Sequence, residues 1–287
     1  MPHFVFVGGV ARSGTTLLQR ILTRHALIAG GTELRVGHHL MGVYRLMKSE
    51  PHSGLLRGLY SSEDLRDAFR GFYERILRSQ LEKKPGARWI SEKSAGNVLV
   101  AHSLLELFPE ARFVHIERDP RDVLASTMDV RDRASTLKSE TDLSLASTRS
   151  VVRMWQKSAR LSHSLRDHPR YTHTTYEALV DRPEATIRRI LEFLDVPFDP
   201  ELLRVNQESS AFADPVFHTQ AELLRSIDRA GVGRYRSDLS WMRRWYVEAA
   251  LGPAMITSGY SGSPVARASR GAQRLSRGLR RRLWRRH

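Results

Sequence analysis

Cysteine is absent from this chain of 287 residues. Disulfide staples, thiolate metal sites and cysteine nucleophiles are thereby excluded. A chain this long buries a sizeable core without staples, and its length fits one large α/β domain or two smaller ones. Lysine is scarce: only positions 48, 83, 84, 93, 138 and 157 carry it, and the other forty basic residues are arginine. No apolar run approaches the ~20 residues that span a bilayer. The opening stretch Met1–Val10 has neither the basic leader nor the long apolar segment of a signal peptide. A soluble, cytoplasmic protein is the expectation. Internal repeats at periods of about 20–50 residues are also missing.

What is plentiful is positive charge, a formal +15. It is unevenly placed. Nine arginines and no acid lie between Arg267 and His287, which leaves +6 for the rest. That mild excess suits an anionic ligand. In the tail, Leu275, Leu279 and Leu283 recur every fourth residue among arginines. The pattern fits an amphipathic helix on anionic lipid, and equally a solvated disordered segment. Nucleic acid is the least favoured partner, because the body lacks basic stripes interleaved with aromatics.

Strand and helix signals alternate along the body. Phe4–Val7, Leu27–Ala29, Arg88–Ser91, Phe113–Ile116 and Tyr171–Thr175 read as short strands. Thr15–His25, Glu63–Leu81, Asn97–Phe108, Leu143–Leu165 and Glu184–Leu194 read as helices. The alternation predicts a single α/β domain over residues 1–262, with a central, mostly parallel sheet flanked by helices. Residues 263–287 are predicted to form a separate basic tail. Ligands of such sheets sit at the carboxyl ends of the strands.

The loop after the first strand falls at such an end. Gly9-Val10-Ala11-Arg12-Ser13-Gly14-Thr15-Thr16 joins strand to helix. Its backbone N–H groups and the following helix N-terminus form a ready anion site. The spacing nearly matches the nucleotide-triphosphate loop Gly-x4-Gly-Lys-Ser/Thr. However, Thr15 stands where that motif has Lys, and the cation has moved upstream to Arg12.

This run closely resembles the 5′-phosphosulfate loop of sulfotransferases that use 3′-phosphoadenosine 5′-phosphosulfate (PAPS), in the style of tyrosylprotein sulfotransferases and their bacterial relatives. Four more blocks follow in the family's order. The resemblance implies the sulfotransferase version of the phosphate-loop α/β fold, with Arg12, Ser13, Gly14, Thr15 and Thr16 on the donor. Phe113–Ser126 looks like the 3′-phosphate motif, with Arg118 and Ser126 as its ligands; a forked, permanently charged donor and a hydroxyl suit that role. Trp89–Ser94 ends a strand in Lys93, which in this pattern reaches the transferring group. Tyr176-Glu177-Ala178-Leu179-Val180 is similar to a family stretch whose Tyr lies near adenosine. Val232-Gly233-Arg234, after Ser226, resembles the late loop over the nucleotide. Read without the resemblance, these blocks are also compatible with an ion-paired helix start, a surface lysine, a core aromatic and a basic glycine turn.

Transfer to a hydroxyl needs a base for the acceptor proton and cations where charge develops. Glu33-Leu34-Arg35 resembles the family's Glu-Thr-Arg, which makes Glu33 the candidate base and Arg35 a substrate-binding residue. Thr32 replaces a family Glu. His38, His39 and His102 are the rival bases. The implied reaction is in-line displacement giving a sulfate ester and adenosine 3′,5′-bisphosphate (PAP). No metal is required, since sulfuryl carries less charge than phosphoryl. Acceptors left open are glycan, glycolipid, peptide tyrosine and small phenol. Competing functions are a nucleotide-dependent kinase using the same loop, and a non-enzymatic lipid- or nucleic-acid-binding protein led by the tail.

Overall fold

The computed structural model describes residues 3–56, 58–138, 147–205 and 216–261. In chain order the strands are β1 (His3–Gly8), β2 (Ile28–Gly30), β3 (Trp89–Lys93), β4 (Arg112–Glu117) and β5 (Tyr171–Thr175). The helices are α1 (Thr15–Arg24), α2 (Gly37–Lys48), α3 (His52–Leu56), α4 (Ser62–Arg78), α5 (Ala101–Leu107) and α6 (Pro120–Thr136). They continue with α7 (Thr148–Leu165), α8 (Tyr176–Asp181), α9 (Pro183–Phe193), α10 (Gln220–Leu223), α11 (Tyr235–Asp238) and α12 (Trp241–Thr257). Two compact units result. One comprises the described residues up to Arg118 and those from Leu161 to Arg229; the other comprises Asp119–Arg160 and those from Ala230 onward.

The first unit holds a parallel five-stranded sheet in the order β2-β3-β1-β4-β5. Side chains alternate across a strand, and β1 feeds two cores accordingly. Phe4 and Phe6 join Ile90, Phe113 and Tyr171 beneath α2, α4 and α5. Val5 and Val7 join Trp89, Val114 and Ile116 beneath α1 and α9. Continuous apolar strands are therefore what this architecture demands, since both faces of the sheet are covered. From β1, in the middle of the order, the chain crosses to the edge strand β2, returns to β3 beside β1, and then passes to the other side through β4 and β5. The carboxyl end of β1 is thus the crevice where such sheets bind ligands.

In the second unit, Asp119 caps α6 by accepting the Arg121 N–H at 2.9 Å, and Pro120 takes the first helical position. Arg121, 4% exposed, ion-pairs with Asp119 and Glu248 at 2.6 and 2.7 Å. The Asp122 carboxylate accepts the N–H groups of Gly233 (2.7 Å) and Tyr235 (2.9 Å), pinning that loop to α6. The ion-paired helix start that this block is compatible with is thus present, built by Asp119 to Asp122.

Most boundaries agree with the sequence reading, and the exceptions have causes. The segment expected as one helix from Asn97 opens as a 3-10 turn at Ala95–Val100 before α5. Its Asn97 Nδ2 donates to the Val7 carbonyl and to Glu92 rather than facing solvent. Helix α12, for which the sequence offered no reading, runs through Gly252 and Pro253 to Thr257. Of the helix expected from Leu143, residues 143–146 lie outside the described residues, as does the tail at 263–287.

Candidate active site

The loop at the end of β1 is built by close approach. A Cβ on Gly9 would lie 2.3 Å from the Ile116 carbonyl oxygen, and one on Gly8 2.7 Å from the Phe113 ring and the Val98 nitrogen. Glycine is the only residue that fits between these strands. Gly14 adopts φ +94° and is the N-cap of α1, so the cap supplies no side-chain acceptor to the first-turn N–H groups. Those groups with the helix dipole attract an anion. Ser13 Oγ is buried within the loop without a hydrogen-bond partner, which fits a loop made to receive acceptor oxygens. Arg12 itself is left-handed at φ +72°, a conformation that costs a non-glycine residue energy and marks functional loops.

Around this loop the first unit gathers the reactive side chains. Lys93, 5% exposed at the end of β3, places Nζ 3.2 Å from Glu33 Oε2 and 3.4 Å from Thr16 Oγ1. Glu33 Oε1 accepts the Ala95 N–H at 3.0 Å. Arg35 Nε stands 3.9 Å from Glu33 Oε2, and its backbone is also left-handed, at φ 55°. The Arg35 N–H donates to Ser94 Oγ (3.1 Å), which donates in turn to the buried Glu92 Oε1 at 2.6 Å. Burial raises the Glu92 carboxyl above its ordinary range, against the hydrogen bonds from Ser94 and Asn97. A carboxylate, a cation and a loop hydroxyl therefore meet at the carboxyl end of the sheet.

Arg118 donates to the Arg12 carbonyl at 2.9 Å and lies over the Tyr176 ring at 4.5 Å. Tyr176 packs on Gly14, where an added Cβ would approach its ring to 2.6 Å. Ser226 is exposed in the same unit. Ser126, Val232, Gly233 and Arg234 belong to the second unit. There Ser126 is buried on α6, and Arg234 ion-pairs with Asp129 at 3.0 Å and Asp238 at 2.6 Å.

Sequence reasoning overlooked His218. Its Nε2 is 3.0 Å from Thr16 Oγ1 and 3.4 Å from Arg12 Nη1. The neighbouring Phe217 carbonyl accepts from Arg12 at 2.7 Å, and the Arg35 guanidinium lies 4.9 Å over the Phe217 ring. Buried Arg20 of α1 anchors this segment by donating to the carbonyls of Val205 and Leu223. About 200 residues separate His218 from the loop, and no local motif announces it. The histidines weighed from sequence are placed differently. His38 packs against His39, with ring centroids 3.9 Å apart, and burial first and His39 second lower its pKa against the pull of Glu33. His102 is exposed and bonds Ser164 Oγ at 2.9 Å.

A parallel sheet with an anion-accepting loop on its central strand, and threonine where triphosphate loops carry lysine, places the chain in the phosphate-loop class of α/β proteins. The chain belongs to the sulfotransferase family, whose model matches residues 2–200. Among curated relatives, a protein-tyrosine sulfotransferase of Drosophila melanogaster is 28% identical over 82% of this chain and 47% of its own length. Protein-tyrosine sulfotransferase A of Caenorhabditis elegans is 30% identical over 71% of this chain and 53% of its own length. The chain thus spans about half of each. Among solved structures, a sulfotransferase domain from the curacin biosynthetic pathway covers 92% of this chain and 99% of its own at TM-score 0.59 and 18% identity. A mouse sulfotransferase complexed with PAP covers 94% of this chain and 88% of its own at TM-score 0.56 and 13% identity. At these identities the likeness is one of fold.

Proposed function

We propose that this protein transfers a sulfuryl group from PAPS to a hydroxyl acceptor, with Glu33 as general base. The observation that carries the reading is the meeting of Glu33, Lys93 and Thr16 within 3.4 Å at the end of the parallel sheet. The loop Gly9–Thr16, with its unpartnered Ser13 hydroxyl, fits the donor's 5′-phosphosulfate. Arg118 and Tyr176 supply a cation and an aromatic face beside it. The mouse structural neighbour's complex with PAP supports a nucleotide of this kind. The motif assignments of Ser126, Ser226, Val232, Gly233 and Arg234 to the nucleotide are part of the same proposal.

Glu33 takes the acceptor proton as the acceptor oxygen bonds to sulfur. The bond from sulfur to the bridging phosphate oxygen breaks, and the negative charge left there is met by Lys93 and Arg12. In this reading Arg35, exposed and lying over the Phe217 ring, orients the acceptor. The names of the curated relatives favour a tyrosyl peptide, although Thr32 stands where the resembled family pattern has Glu.

The test uses ³⁵S-labelled PAPS with tyrosyl peptides, phenols and glycans as acceptors. Transfer by the wild type that disappears in Glu33→Gln supports the assignment. Near-normal turnover by that variant removes Glu33 as base. Tight binding of ATP-Mg²⁺ but not of PAP overturns the donor.

A further inference from the structure

Helix α12 is amphipathic the wrong way round for a solvated surface. Its inward side buries Val247, Leu251 and Met255, and its one acid, Glu248, is spent on Arg121. Its outward side carries Trp241, Met242, Trp245 and Tyr246, which are 69, 61, 52 and 38% exposed. At about 100° per residue these four span an arc of roughly 140° on the first two turns, with Arg243 and Arg244 about 60° beyond either edge. Two tryptophans, a methionine and a tyrosine in one exposed patch are rare without a binding role. Arg236, exposed just ahead of the helix, adds a third cation and reaches over the Tyr235 ring at 4.8 Å.

We propose that this face of α12 seats the protein on an anionic membrane surface, independently of the chemistry proposed above. The occupant must be apolar and negatively charged at once. A second copy would set arginine against arginine. The chain's own tail brings nine more arginines and no acid. An anionic bilayer answers both demands. Trp and Tyr rings settle at the headgroup boundary, while flanking arginines reach up to phosphates along their aliphatic stems. Such contact is peripheral: among the described residues no helix is long and apolar enough to cross a membrane.

The full chain is used, in a Trp284→Phe background that removes the tail's tryptophan. Of the remaining tryptophans, Trp89 and Trp155 are buried, at 3 and 0% exposure, so a lipid response reports on Trp241 and Trp245. Vesicles of phosphatidylcholine with phosphatidylglycerol are expected to bind and to shift tryptophan emission to the blue, with quenching by brominated lipid. Phosphatidylcholine alone is expected to do neither. Trp241→Ser/Trp245→Ser is expected to bind roughly tenfold more weakly with an unchanged melting curve, both sites being exposed. Binding by the double variant equal to the parent, or lipid binding without quenching, overturns the proposal. So does self-association that Trp245→Ser abolishes, or preferential binding of a single-stranded oligonucleotide that the same substitutions remove.

Discussion

Lys93 reaches from the end of β3 to Glu33, with Nζ 3.2 Å from Oε2, and so couples the candidate base to the cation proposed to meet the leaving group. In the proposed reaction each side of this pair acts at a different atom, so the two substitutions test different steps. Glu33→Gln keeps the shape and removes the base; kcat is expected to fall by about 10²–10⁴-fold with the donor KM little changed. Lys93→Met removes charge stabilisation, and a loss of about 10²–10³-fold is expected. Because the two residues touch, the double variant is expected to lose less than the product of the single losses. Steady-state kinetics on the four proteins decide it, and strict multiplicativity argues against a shared site.

His218 contacts Thr16 and Arg12 rather than Glu33, so it is expected to position the donor loop. His218→Ala should raise the donor KM about tenfold, the cost of one or two hydrogen bonds, and leave kcat within a few-fold. His218→Gln, which keeps a polar atom in reach, should recover most of the loss. A fall in kcat of a hundredfold or more without a change in donor KM would instead make His218 the base.

The glycines of the loop separate packing from chemistry. Gly9→Ala drives a Cβ against the Ile116 carbonyl, a backbone atom that cannot rotate away. A loss of about 1–3 kcal/mol is expected, together with weakened donor binding as the loop shifts. Gly42→Ala on α2 is the control, since an added Cβ there meets nothing within 4 Å. A gain of up to about 1 kcal/mol is expected from helix propensity. Thermal melts of both variants test the contrast.

The legible parts of this protein were those encoded locally. β1 and its loop show in the sequence because a doubly covered strand must be apolar and a tight anion loop must be small. Lys93 and Arg118 show because each closes a strand. His218 and Phe217 do not: Arg12, Arg20 and Arg35 place them through carbonyl and ring contacts across the chain, and such contacts leave no spacing. Helix α2 was hidden for another reason. Its buried side is only Gly37, Met41 and Tyr44, too sparse to stand out among exposed Val43 and Leu46. The route of α12 through Gly252-Pro253 shows propensity yielding to packing, since Val247, Leu251 and Met255 are all buried.

Buried histidines make stability depend on pH. His115 Nδ1 lies 2.8 Å from the Tyr171 hydroxyl, which donates to Ser162 Oγ at 2.9 Å, and the His173 ring is 5.2 Å from that of His115. Burial first, with His173 as the nearby like charge, lowers His115 well below its ordinary value. Burial, then Arg189 and Arg166, lowers His173 to about 4. Both rings are thus neutral in the folded state where the unfolded chain has begun to bind protons. The unfolded state binds more protons between about 6.5 and 4, so stability falls as pH drops through that window and is level above it. For His173 alone the full loss is about 3 kcal/mol. His173→Gln is expected to lessen the slope without abolishing it, because His115 still titrates. Urea unfolding of wild type and variant from pH 7.5 to 4.5 measures the difference directly. Parallel curves would mean that His173 takes up its proton in the folded state without cost.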